Sequence, residues 1–126
     1  MLSLKTTLFT LTLLFLGLYY INSQTHWITN RTYEVKDISK QETIILHKIK
    51  TQEHVHGFSL NITGHINGKA KIVLYHDTDI YKSATISNKV NLEWGGDWYT
   101  DTLKIEYEPI DVKDGELSLE YNFKGL

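Results

Sequence analysis

Val55-His56-Gly57-Phe58-Ser59-Leu60-Asn61-Ile62-Thr63-Gly64, followed by His65-Ile66-Asn67-Gly68-Lys69 and then Ala70-Lys71-Ile72-Val73-Leu74-Tyr75-His76, is the stretch on which the fold turns. Phe58, Leu60 and Ile62 recur with period two, and Ser59, Asn61 and Thr63 fill the alternate positions. That is the period of a strand with one buried face. Asn67-Gly68 divides the stretch into strands over 55–64 and 70–76 and reads as a hairpin turn. A two-residue turn would set Leu60 opposite Tyr75 and Ile62 opposite Val73, leaving Ile72 and Leu74 beside Asn61 and Thr63. A three-residue loop, Ile66-Asn67-Gly68 with Gly68 left-handed, sets Ile62 opposite Ile72 and Leu60 opposite Leu74. It keeps the apolar residues on one face, so the pattern favours it.

The same alternation continues outward through Val90, Leu92 and Trp94, through Leu103, Ile105 and Tyr107, and through Leu117, Leu119, Tyr121 and Phe123. Further strands are expected over 28–36, 43–50, 79–86, 88–94, 98–108 and 116–124. Turns are expected at His76-Asp77-Thr78, Gly95-Gly96 and Asp114-Gly115. One wet face and one core face per strand is the antiparallel signature. About seven to eight such strands predict an all-β, antiparallel two-sheet β-sandwich over 25–126, with a barrel as the alternative.

Residues 1–24 differ in kind. Lys5 precedes an uncharged stretch whose Leu/Phe-rich heart runs from Leu8 to Ile21, interrupted by Thr10, Thr12 and Gly17. This fits the apolar core of a signal peptide better than the ~20 residues of a membrane span. Cleavage after Ser23 would place Ile21 where a small residue is preferred, and Tyr19, Tyr20 and Trp27 resemble an interfacial aromatic belt. An uncleaved N-terminal transmembrane helix is therefore the alternative. The single domain is extracytoplasmic on either reading: secreted or periplasmic if the signal is removed, membrane-anchored if it is kept.

Composition narrows the function. The chain has 126 residues, a formal net charge of −2 and no basic run, which argues against a nucleic-acid partner. Cysteine is absent, so neither a disulfide nor a lipidated cysteine holds or anchors the domain. Asn30-Arg31-Thr32 and Asn61-Ile62-Thr63 are sequons that matter only in a eukaryotic secretory pathway. No nucleophile elbow, zinc-protease motif or phosphate-binding glycine loop is present, so neither an enzyme nor a cofactor is expected.

Two clusters are candidate sites. A two-residue turn at Gly95-Gly96 would pair Leu92 with Tyr99 and leave Trp98 outward beside Glu93. With Asp97 and Asp101 this makes a platform for a sugar ring, an apolar face next to carboxylate acceptors. The competing reading packs Trp98 under a neighbouring loop or rim, since a lone aromatic needs no function. His54 and His56 lie two apart and would share a strand face, with His47 near them across a hairpin, as a zinc or copper site requires. Against this, the Phe58, Leu60, Ile62 phase places both at the end of the core-facing row, and no cysteine or close acid completes the set. Asp77-Thr78-Asp79 and Asp111 to Gly115 read as turn chemistry before calcium ligation.

The segment Val90-Asn91-Leu92-Glu93-Trp94-Gly95-Gly96-Asp97-Trp98-Tyr99-Thr100-Asp101, with Leu103 to Pro109 after it, resembles small exported β-sandwich proteins of bacterial envelopes whose role is not established. The resemblance implies an exported all-β domain and transfers no functional residue. Those proteins often carry a lipidated cysteine that this chain lacks. The leading expectation is a non-catalytic domain that binds a protein or glycan outside the cytoplasm through Trp94 to Asp101. The alternatives are a structural module that assembles through a strand edge and a metal-binding protein centred on His54 and His56.

Overall fold

The structure, a computed structural model, describes residues 4–24 and 30–125. An N-terminal helix, α1 (Leu4–Gln24), is followed by β1 (Arg31–Glu34), β2 (Glu42–His47), β3 (Val55–His76), β4 (Asp79–Asp97), β5 (Thr102–Pro109) and β6 (Asp114–Gly125). Trp27 and the first two residues of the strand expected over 28–36 lie outside the described residues.

The domain is all-β and antiparallel, as the alternation requires. The strands form one six-stranded sheet, ordered β1-β6-β3-β5-β2 with β4 also on β3, curled into a half-barrel. This replaces the two separate sheets expected. The correction begins at Asn67-Gly68: β3 runs through them without turning, and Leu60 faces Trp94 and Tyr121, while Ile72 faces Ala84 and Tyr107. Asn67 and Gly68 are the extra residues of a bulge between Ile66 and Lys69, opposite Asn88 and Ser87 of β4.

Gly68 is left-handed (φ 119°), as expected, but it serves a bend in a continuing strand. A Cβ there would lie 2.7 Å from both the carbonyl oxygen and the side-chain Oδ1 of Asp111. The Asp111 carboxylate accepts the Lys69 N–H, and the Lys69 carbonyl accepts the Ile110 N–H at 2.8 Å. The connection after β5 therefore clamps the bend, and bulges of this kind raise local twist and curvature. On either side of it, the first half of β3 pairs with β6 and the second half with β5, while β4 follows the other edge throughout.

Curling brings the inward residues of all six strands together. Phe58, Leu60, Ile62, Ile66, Leu74, Leu103, Ile105 and Phe123 have no measurable exposure. Ile38, in the β1–β2 connection, caps this core, and its carbonyl accepts the Tyr107 hydroxyl at 2.7 Å. The expected turn at His76-Asp77-Thr78 is present, with Asp77 left-handed (φ 54°) between the paired His76 and Asp79. Asp114-Gly115 is already the start of β6, paired with Asn67 and Ile66, so the β5–β6 turn lies at 110–113.

In α1, Leu8, Phe9, Phe15 and Leu18 are all more than half exposed. Thr10 and Thr12 donate their hydroxyls to the carbonyls one turn back, at Thr6 and Leu8. Among the described residues no helix is long and apolar enough to cross a membrane.

Candidate functional site

The platform built on Trp98 does not exist. Gly95 and Gly96 stay within β4, paired with Ser59 and Phe58, and the chain leaves the strand only after Asp97. Trp98 is 2% exposed. Its backbone N–H donates to the His56 carbonyl and its indole N–H to the Thr102 carbonyl at 2.9 Å. Edge-to-face contacts at 5.1–5.3 Å surround its ring with Phe58, His76 and Tyr81. Phe58 lies near the beginning of β3 and His76 at its end, so Trp98 plugs the mouth where the two ends of the bent hairpin meet. Gly96 permits this closure, since a Cβ there would lie 2.8 Å from the Tyr81 hydroxyl.

Of the other residues of that candidate site, Glu93 is exposed opposite Asn61 and Asp97 exposed opposite Gly57. Asp101 is 3.8 Å from the Lys48 ammonium, in the β4–β5 loop.

The histidine pair is also displaced. A register shift between Val55 and Gly57 makes His56 an extra residue, so Val55 and Phe58 take the inward places and both His54 and His56 are exposed. Among the described residues no group of three or more His, Cys, Asp or Glu side chains comes together to hold a metal ion.

The sheet's free edges are where the fold leaves hydrogen-bonding capacity unused. It has three. Two of them, on β1 and β2, face each other across a seam bridged by side chains. Arg31 donates to the His47 carbonyl, and the Tyr33 hydroxyl donates to Glu42. The other Glu42 oxygen accepts the Lys36 N–H at 3.1 Å. The Glu42 carboxylate, with burial, pushes the Tyr33 phenol up to about 12.

The third edge is β4, paired only with β3 along its whole length. Two places along it carry devices that discourage strand addition: Lys82 and a register shift next to Tyr81 near its start, and Lys89 with left-handed Asn88 (φ 57°) at its middle. Charges and bulges on edges act in this way. Between them Ser83-Ala84-Thr85-Ile86-Ser87 is uncharged and extended. At about 3.4 Å per residue it offers roughly 17 Å, the length of an ordinary strand. A groove of about 270 Å³ runs beside it at the bend, lined by β4 alone from Ala84 to Leu92. The signal for this edge was in the sequence, in the uncharged run between two lysines, but it acquires meaning only once 79–97 is seen as one strand.

No family model matches the chain, and no curated protein matches it. Among solved structures it is similar to one described as the crystal structure of PirA, at 10% identity and a TM-score of 0.43, covering 80% of this chain and 98% of that one. A second, from work on Bacillus endospore appendages that form disulfide-linked pili, has 9% identity and a TM-score of 0.32, covering 75% and 90%.

Proposed function

We propose that this chain is an exported, non-catalytic assembly module that pairs with a second copy of itself along β4. The observation that carries the reading is the uncharged 83–87 window of the β4 edge, paired only with β3 and flanked by Lys82 and Lys89. With the β1 and β2 edges tied to each other, β4 is the edge that remains for pairing among the described residues. A module with one such edge closes as a two-fold dimer, whereas a filament needs two.

Antiparallel pairing centred on Thr85 sets Lys82 opposite Asn88 and Lys89 opposite Tyr81, so neither lysine meets its like. The apolar, Lys5-led α1 supports export as the route by which the domain reaches its place. Sedimentation velocity of the full chain over a concentration series tests the assembly. A monomer–dimer equilibrium is expected, and Thr85→Lys, which sets two lysines against each other at the two-fold axis, shifts it to monomer. A monomer at every concentration, or a dimer indifferent to Thr85→Lys, would sink the proposal. Association through α1 is distinguished by that indifference.

A further inference from the structure

We infer that the cleft beside the β1–β2 seam binds an acidic glycan, an oligosaccharide carrying carboxylate or sulfate groups. The cleft has a volume of about 940 Å³ and is lined by Arg31, His47, Lys48, Ile49, Lys50 and Asp101. No residue of β4 contributes, so the inference stands apart from the pairing edge. Three cations here face the single carboxylate of Asp101, on a chain whose formal net charge is −2.

Two of the cations, Arg31 and Lys48, are held in place before any ligand arrives. Arg31 lies over the Tyr121 ring, 4.8 Å from its centroid, and donates to the His47 carbonyl. The ring fixes the guanidinium plane, and its remaining N–H donors suit the paired oxygens of a carboxylate or sulfate. Lys48, with a side chain 21% exposed, donates to the Gln52 carbonyl. The turn that carries Lys48 is pinned by Gln52, itself 6% exposed. The Gln52 side-chain oxygen accepts the Ile49 N–H, and its amide donates to the Phe123 carbonyl at 2.6 Å. On the other side, the Lys48 N–H donates to the Asp101 carbonyl at 2.9 Å.

Preorganised charge of this kind lowers the ordering cost of binding. Ile49 and the aliphatic stems of Lys48 and Lys50 supply apolar wall between the charges, and such stems pack while their heads stay wet. A volume in the range of roughly 300–1,000 Å³ suits a ligand with a body. An oxyanion joined to sugar rings uses both features, whereas a bare inorganic anion would use the charges alone.

Calorimetric titration of the full chain with a sulfated and with a uronate-rich oligosaccharide tests this, against a neutral oligosaccharide of equal length and sodium sulfate. Saturable binding of the acidic sugars, weakened by salt, is expected, with no binding of the neutral one. Lys50→Glu, at an exposed position, should weaken binding by about tenfold or more, as loss of a charge-assisted contact implies. Asp101→Asn should strengthen it, and Lys113→Glu, outside the cleft, should leave it unchanged. Sodium sulfate binding as tightly as the oligosaccharides would overturn the glycan assignment. Absence of binding to either acidic sugar, or equal loss with Lys50→Glu and Lys113→Glu, would overturn the site.

Discussion

At Trp98, one side chain performs three tasks: its ring fills the mouth, its indole N–H satisfies Thr102 and its backbone N–H ties the strand exit to His56. Trp98→Ala should therefore cost about 3–5 kcal/mol in urea unfolding, the range for a deleted core aromatic. Trp98→Phe, which keeps a ring and loses the indole donor, should cost less. A loss within ~0.5 kcal/mol for Trp98→Ala, the behaviour of a surface site, would contradict the plug. Tyrosines govern a different response. Burial, together with the negative charge of Asp37, raises the Tyr107 phenol to about 12, and Tyr33 is raised to a similar value by Glu42. An unfolded tyrosine ionises near 10, so the fold favours the neutral phenols. Their contribution is complete below pH 10 and is lost as pH rises from about 10 toward 12. Stability measured across that window should fall, and Tyr107→Phe should make the fall shallower. A pH-independent wild type would refute the assignment.

Among the elements, β3 and β4 explain what was legible and what was not. Period two in Phe58 to Ile62 and in Leu117 to Phe123 announced strands with one wet face, and those faces are as expected. Asn67-Gly68 and Gly95-Gly96 announced reversals, yet neither reverses the chain. Local sequence specifies that a backbone can take a left-handed or crowded conformation, whereas the strands alongside decide whether it turns or bends. Here the decision rests with Asp111 and Tyr81, more than ten residues from the glycines they meet. The same error of continuity put Trp98 outside and hid the β4 edge. Gly68→Ala tests the bend: the left-handed φ and the approach to Asp111 should make it cost about 1–3 kcal/mol. Asp111→Ala alone should cost about 1 kcal/mol, because Lys69 loses an acceptor. The two losses should be non-additive, since part of the first is the crowding that the second relieves. Strict additivity would place Gly68 in a turn that Asp111 does not touch.

For the molecule as a whole, the consequence of one strand pairing with three others is cooperativity. β6 and β1 hang on the first half of β3, β5 and β2 on the second, and β4 runs beside both, so β3 and β4 tie the two halves together through the bend. The inward residues of both halves also belong to one core cluster. A sheet of this kind should lose its structure in one transition. Amide exchange reads this directly. The β3 amides, paired on both edges, should exchange only through global opening and report one common free energy. In β4, residues that turn their N–H toward β3 should share that protection, and those that turn it outward over 83–87 should exchange quickly in dilute solution. If β4 pairs with a second copy, those outward amides alone should slow as concentration rises, and Thr85→Lys should abolish the slowing while the β3 amides keep their values. Two distinct opening energies, one for each half of β3, would show instead that the bend at Gly68 divides the sheet into independent units.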